Sequence, residues 1–151
     1  SGPTNGQKPT SRAALLKGAF ADARSAALQV EAALAGIDAG DAYKQDQSRL
    51  RARALILGAE AAKTTDPRQA RAGFLRAKAL LSPYVAGDTR DPDLLDPWLR
   101  LAVELEESPF PTRNFESLRA SGYANPDFVQ AMAGAGVAYR PAQPPATGAS
   151  E

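Results

Sequence analysis

Four dipeptides in which Asp or Asn precedes Pro punctuate the chain: Asp66-Pro67, Asp91-Pro92, Asp96-Pro97 and Asn125-Pro126. Asp and Asn side chains accept hydrogen bonds from the free N–H groups of a first helical turn, and Pro, which has no N–H, fits the first helical position. The residue before Pro also avoids helical geometry. Each dipeptide therefore predicts the start of a helix.

Asp91 and Asp96 are too close together to head two full helices. We expect residues 92–95 to form a short turn and the helix to begin at Pro97. Apolar residues recur three or four positions apart elsewhere, which is the period of one helix face, and no stretch alternates like a strand. Helices are predicted over 11–36, 43–63, 67–83, 97–107, 113–120 and 126–133. The fold class is therefore all-α, with five to six helices in antiparallel hairpins.

The two ends of the chain have a composition typical of linkers. Residues 1–10, "SGPTNGQKPT", resemble a cloning scar followed by a polar linker, which suggests a piece of a longer protein. Residues 139–151 are rich in Pro, Ala and Gly, so we expect a disordered tail there. One helical domain is predicted over residues 11–138, since 151 residues are ordinary for one domain.

Composition removes several kinds of site. The chain has no Cys and no His, so disulfides, thiolate metal sites and the commonest general base are absent. A formal net charge of +1 gives no overall attraction to nucleic acid or membrane. The apolar runs are shorter than the roughly 20 residues that a membrane span needs, so no membrane insertion is expected.

Acidic clusters offer little chemistry. Asp91, Asp93 and Asp96 suggest calcium, but the sixth and twelfth positions of that loop would be Asp96 and Ala102 instead of Gly and Glu. Helix capping explains these acids better, and Glu104, Glu106 and Glu107 fit a solvated helix face. The sequence therefore predicts no metal, no cofactor and no enzymatic activity.

One stretch resembles the tetratricopeptide repeat. Leu57-Gly58 matches the Leu-Gly pair of the first helix, Ala70, Phe74 and Ala77 match the second helix, and Pro83 matches the closing Pro. A second copy is indicated by Trp98, Leu101, Ala102, Leu105 and Leu118. The resemblance implies a right-handed α-solenoid in which Gly58 and Ala70 meet at the helix crossing, where small residues permit close approach. We expect Trp98 to be a core residue.

The resemblance also implies a function. In this family the first helices of successive repeats line a groove that holds a protein, a peptide or another domain of the same parent chain. The corresponding residues here are Leu55, Ala59, Lys63, Leu99, Val103 and Glu106. The segment "LRASGYANPDF" also resembles the end of repeat regions in bacterial regulators, including serine/threonine kinases. A non-catalytic regulatory or sensor domain is therefore expected, in the bacterial cytoplasm or periplasm.

An alternative rests on charge. From Arg49 to Lys78 basic residues outnumber acidic ones, and the balance inverts over residues 88–116. The basic region either attracts the neighbouring acidic hairpin or gives a stand-alone adaptor a site for an acidic peptide or nucleic acid. Nucleic acid is disfavoured because aromatic residues are not interleaved with the basic ones and because the net charge is small.

Overall fold

The computed structural model describes residues 21–37, 40, 43–85 and 88–143. This part of the chain contains six helices and no strand, which confirms the all-α class. Helix α1 occupies residues 21–35 of the described part. The others are α2 (Lys44–Ala62), α3 (Pro67–Val85), α4 (Pro92–Glu104), α5 (Thr112–Ala120) and α6 (Pro126–Gly134). The predicted helix start at residue 11 lies outside the described residues.

Three of the four dipeptides cap helices, which confirms the predicted starts at Pro67 and Pro126 but not the short turn that was expected after Asp91. Asp66 accepts from the N–H of Gln69 at 3.2 Å, Asp91 from that of Asp93 at 2.9 Å, and Asn125 from that of Phe128 at 3.1 Å. These bonds satisfy N–H groups that have no partner within the helix. They fix where α3, α4 and α6 begin.

The fourth dipeptide was predicted wrongly, because Asp96 and Pro97 lie inside α4. The helix begins at Pro92, so the expected turn over residues 92–95 is helical. Pro97 removes one hydrogen bond near the helix start, and Asp96 uses its side chain for tertiary contacts instead of a cap. Pro83 was also expected to end its helix, but α3 continues through it to Val85.

The chain divides into two compact units, residues 1–80 and 81–151. In the first unit α1 and α2 run antiparallel, since their contacts move in opposite directions along the chain. Gln47 donates to the main-chain oxygen of Ile37 at 2.8 Å, Arg51 pairs with Glu31, and Gly58 lies against Arg24.

Helices α1 and α3 run parallel. Arg24 donates to Gln69, and Arg76 donates to Glu31, with the same separation of 45 residues in each pair. A constant offset of this kind is possible only when both helices point in the same direction. Helix α1 therefore contacts both α2 and α3.

The two close helix approaches in this unit differ from the predicted one. A Cβ added at Gly58 would lie 3.3 Å from Cβ of Ala27 on α1, so Gly58 does not face Ala70 of α3 as expected. The approach of α2 to α3 is instead at Gly73, where an added Cβ would lie 3.1 Å from Cβ of Ala59. Glycine permits both approaches because a side chain would separate the helices.

In the second unit α4 packs against α5 and α6. Its core is formed by large side chains from all three helices, and Phe128, Leu118 and Met132 are fully buried. None of the helices in the described part of the chain is both long and apolar enough to span a bilayer.

The segment after α6 belongs to this core, although its composition predicts a tail from residue 139. Tyr139 is only 5% exposed. Its ring packs edge-on against Phe128 at 4.9 Å and against Phe115 at 5.4 Å between centroids. The N–H of Ala142 donates to the oxygen of Arg119 at 2.9 Å. A single aromatic residue thus anchors a segment whose average composition favours disorder.

Candidate functional site

The predicted partner-binding residues divide into buried and accessible ones. Leu55, Ala59 and Leu99 are 2%, 4% and 0% exposed. Val103 is half-buried, whereas Lys63 and Glu106 are exposed. Leu55, Ala59 and Leu99 are therefore core residues. Without a rearrangement, a partner could contact only Val103, Lys63 and Glu106 of the predicted set.

The residues predicted to pack the repeat are mostly in the core. Buried members are Gly58, Ala70, Phe74, Ala77, Leu101, Ala102, Leu105 and Leu118. Trp98 is half-buried, and Pro83 is exposed. Leu57 contradicts its predicted role, because 61% of it is exposed. The leucine of the Leu-Gly pair therefore points away from the core.

Leu57 belongs to an exposed apolar stripe. Tyr43, Leu50 and Leu57 are all exposed and lie seven residues apart, which places them on one face of a helix. We call this stripe the α2 outer face. Tyr43 is the residue that precedes α2, and the two leucines follow along it.

Charged residues alternate with these apolar ones. Asp46 lies one turn before Leu50, Arg53 one turn after it, and Glu60 one turn after Leu57. Asp46 contacts Arg49 at 3.6 Å, yet the Asp46 side chain keeps 62% of its surface exposed. The stripe therefore offers apolar and charged groups in a repeating order.

The opposite face of α2 explains why these leucines are outside. Its buried residues are small ones together with one leucine and one isoleucine: Ala52, Ala54, Leu55, Ile56, Gly58, Ala59 and Ala62. Small side chains let α1 and α3 approach on both sides, so the alanines and not all the leucines are covered. A sequence prediction that places Leu in the core in preference to Ala does not find this surface. The seven-residue spacing of Tyr43, Leu50 and Leu57 could have indicated it.

The first unit also contains a buried acid that sequence analysis did not find. Glu31 on α1 is 3% exposed. Its Oε1 accepts from Arg51 Nε at 3.0 Å, from Arg51 Nη2 at 2.9 Å and from Arg76 Nη2 at 2.9 Å. The carboxylate thus joins three helices and occupies two cations of the predicted basic region.

A second buried acid lies in the other unit. Asp96 accepts from Arg100 Nε at 2.5 Å and from the hydroxyl of Tyr123. The guanidinium of Arg100 lies 5.7 Å from the centroid of the Phe128 ring. Burial raises the pKa of the Tyr123 hydroxyl well above its usual range, and the hydrogen bond to the Asp96 carboxylate raises it further.

Both buried acids accept hydrogen bonds from side chains of their own unit. These bonds hold each carboxylate in position. Across the described ranges no group of three or more acidic residues could hold a metal ion. An open depression of about 800 Å³ beside α5 is lined by Arg90, Arg113, Phe115 and Ser117, among others, and none of its lining residues is buried.

Comparison of the chain with models of protein families, with curated proteins and with solved structures finds no match. The tetratricopeptide resemblance thus rests on the residues quoted for it. The class that the fold defines is an all-α protein with an exposed apolar helix face.

Proposed function

We propose that this chain is a non-catalytic protein-interaction module with tetratricopeptide-like helix hairpins, acting as a regulatory domain of a larger bacterial signalling protein. One observation carries the interaction role. Of the six large hydrophobic residues that are exposed in the described part of the chain, Val30, Ile37, Tyr43, Leu50 and Leu57 fall on or beside the first two helices. Only Leu75 lies elsewhere.

Exposed apolar residues that are scattered singly are ordinary, whereas a set aligned on one helix face indicates a binding surface. Tyr43, Leu50 and Leu57 are aligned in this way. The α2 outer face lies on a helix whose other side is packed against α1 and α3 by glycine and alanine contacts. A rigid helix loses little conformational entropy when it binds. The proposal therefore places the interaction on the α2 outer face, in place of a groove lined by Leu55, Ala59 and Leu99.

The regulatory part of the proposal rests on the segment "LRASGYANPDF". Its Leu118 and Phe128 are buried, and its Tyr123 bonds to Asp96. These contacts give the segment a structural role in the second unit. The resemblance supports a helical domain of the kind found in regulators and assigns no partner.

The basic alternative has less support. Arg51 and Arg76 are engaged by Glu31, and Arg49 contacts Asp46. The exposed arginines Arg53, Arg68 and Arg71 are divided between α2 and α3. Surface cations that are distributed in this way make a weak site for a polyanion.

Affinity capture tests the interaction role. The immobilised wild-type chain, the Leu57→Lys variant and the Leu75→Lys variant are incubated with lysate, and retained proteins are identified. Leu75, which is 48% exposed, is the matched control on α3. We expect a partner that is retained by the wild type and by Leu75→Lys but lost with Leu57→Lys. Equal retention by both variants would show that the α2 outer face is not the binding surface.

A further inference from the structure

We propose that the α2 outer face pairs with the same face of a second copy of this chain, antiparallel, about a two-fold axis at Leu50. This inference rests on the proposed function, because it names the partner of the same surface. The order of apolar and charged residues along α2 identifies this partner as a second copy of the chain.

The apolar residues are self-complementary about Leu50. Tyr43 lies seven residues before it and Leu57 seven residues after it. When two such helices are placed antiparallel with Leu50 against Leu50, Tyr43 of each copy meets Leu57 of the other. A two-fold interface requires this reciprocity, in which each contact occurs twice.

The charges are complementary in the same arrangement. Asp46 and Arg53 lie one turn on either side of Leu50. The antiparallel pairing brings Asp46 of each copy beside Arg53 of the other, and both side chains are exposed. A parallel pairing would instead oppose Asp46 to Asp46 and Arg53 to Arg53. Flanking charges of this kind select orientation in paired helices.

The expected association is weak. Helix α2 has 19 residues, so it is about 28 Å long at 1.5 Å per residue. One helix pair of this length buries less surface than the roughly 1,200 Å² of a stable complex, which is typical of transient association. The dimer should therefore depend on protein concentration.

Sedimentation equilibrium of the full chain tests the pairing at concentrations from about 10 µM to about 1 mM. The wild type should approach the mass of two chains as concentration rises. Arg53→Asp should weaken association at least about tenfold, because it opposes two acids. The double variant Asp46→Arg with Arg53→Asp should restore association, and Leu75→Asp should leave it unchanged. A wild type that stays monomeric, or a double variant no better than Arg53→Asp, would overturn the proposal.

Cross-linking tests the position of the two-fold axis directly. Because the chain has no native cysteine, every disulfide that forms must involve an introduced cysteine. A disulfide requires Cα atoms within about 7 Å. Under mild oxidation the Leu50→Cys variant should form a covalent dimer, whereas Leu57→Cys should not, because its counterpart is Tyr43. Tyr43→Cys combined with Leu57→Cys should cross-link again. Rapid cross-linking of Leu57→Cys alone would refute the antiparallel register.

These results are separable from the capture experiment. A monomeric wild type whose Leu57→Lys variant still loses a captured partner would reject self-pairing and retain the interaction role. A dimer that follows the charge pattern, together with capture of the same chain, supports both. Circular dichroism of every variant should match the wild type, and a variant with reduced helix content is replaced by Leu50→Ser, which should also weaken association.

Discussion

The hydroxyl of Tyr139 donates a hydrogen bond to the main-chain oxygen of Tyr123 at 2.5 Å. This bond ties the segment after α6 to the loop between α5 and α6. The Tyr139 ring also contacts the rings of Phe115 and Phe128, so the residue acts as an anchor for the end of the described chain.

Replacing this anchor should destabilise the protein strongly. Tyr139→Ala removes a buried ring and should lower the free energy of unfolding by about 3–5 kcal/mol. Tyr139→Phe removes only the hydroxyl and should cost about 1 kcal/mol. Urea denaturation measures both. The exposed Tyr43→Ala is the control and should change stability by less than about 0.5 kcal/mol. Similar losses for Tyr139→Ala and Tyr43→Ala would contradict the anchoring role.

Stability at alkaline pH should depend on Tyr123. Burial and the Asp96 hydrogen bond raise the pKa of its hydroxyl above the value of about 10 that it has when unfolded. The folded state thus holds this proton more tightly, so its contribution is fully present below pH 10 and is lost as pH rises above it. Tyr123→Phe should lose less stability between about pH 9 and pH 11, as followed by urea midpoints. Burial also raises the pKa of Tyr139, so part of the loss should remain. An unchanged pH dependence in Tyr123→Phe would be evidence against this assignment.

The two arginines on Glu31 should contribute unequally. Arg51 makes two hydrogen bonds to the carboxylate and has 21% of its side chain exposed, whereas Arg76 makes one and has 55% exposed. Arg51→Met should cost about 3 kcal/mol, because it removes most of the charge compensation of a buried acid. Arg76→Met should cost less than about 1 kcal/mol, since solvent screens this pair. Thermal unfolding with chemical denaturation as a check would measure both, and a reversed order would disprove the assignment.

The contact partner of Gly58 can be tested by mutant cycles. Gly58→Leu should overpack the approach to α1 and cost about 1–3 kcal/mol, whereas the exposed Arg68→Leu should cost much less. Ala27→Gly should relieve part of the strain, with a coupling energy above about 0.5 kcal/mol. Ala70→Gly should relieve none. Coupling to Ala70 in place of Ala27 would restore the register that the sequence predicted.

A glycine at the C-terminal end of α4 should increase the stability of the protein. Glu106 has a φ of 51°, and the N–H of Glu107 bonds to the oxygen of Ala102 at 2.9 Å. Gly136 has the same place after α6, with a φ of 78°. Because glycine adopts positive φ without steric cost, Glu106→Gly should stabilise the protein by up to about 1 kcal/mol. Gly136→Ala should destabilise it by about 1 kcal/mol. Differential scanning calorimetry would detect both shifts, and a lower melting temperature for Glu106→Gly would argue against strain at this residue.

The helices were largely predictable because their start signals are local. Asp66 and Asn125 cap through hydrogen bonds to residues three positions away, so the sequence alone contains both partners. The ends were harder, since α3 tolerates Pro83 near its last turn, where few hydrogen bonds remain to be lost.

The surface was less predictable because it depends on which helices approach closely. Leu57 and Leu55 look equally hydrophobic in sequence, yet only Leu55 is covered. The role of Asp96 also depends on Tyr123, which is 27 residues away. Contacts between residues so far apart in sequence produce no local pattern from which they could be predicted.

Among the described residues, each unit has one buried acid that is bonded to more than one element, Glu31 in the first and Asp96 in the second. If α1 slid by one turn along α3, Glu31 would move about 5.4 Å and leave both arginines. Burying a carboxylate without partners has a large cost in free energy. The shifted alignment would therefore be destabilised far more by the loss of these ion pairs than by the loss of an apolar contact. The hydrogen bonds of the two buried acids thus fix the alignment of the elements that they join. In the first unit, whose core is rich in alanine, Glu31 excludes neighbouring registers that the repetitive small side chains would otherwise accept.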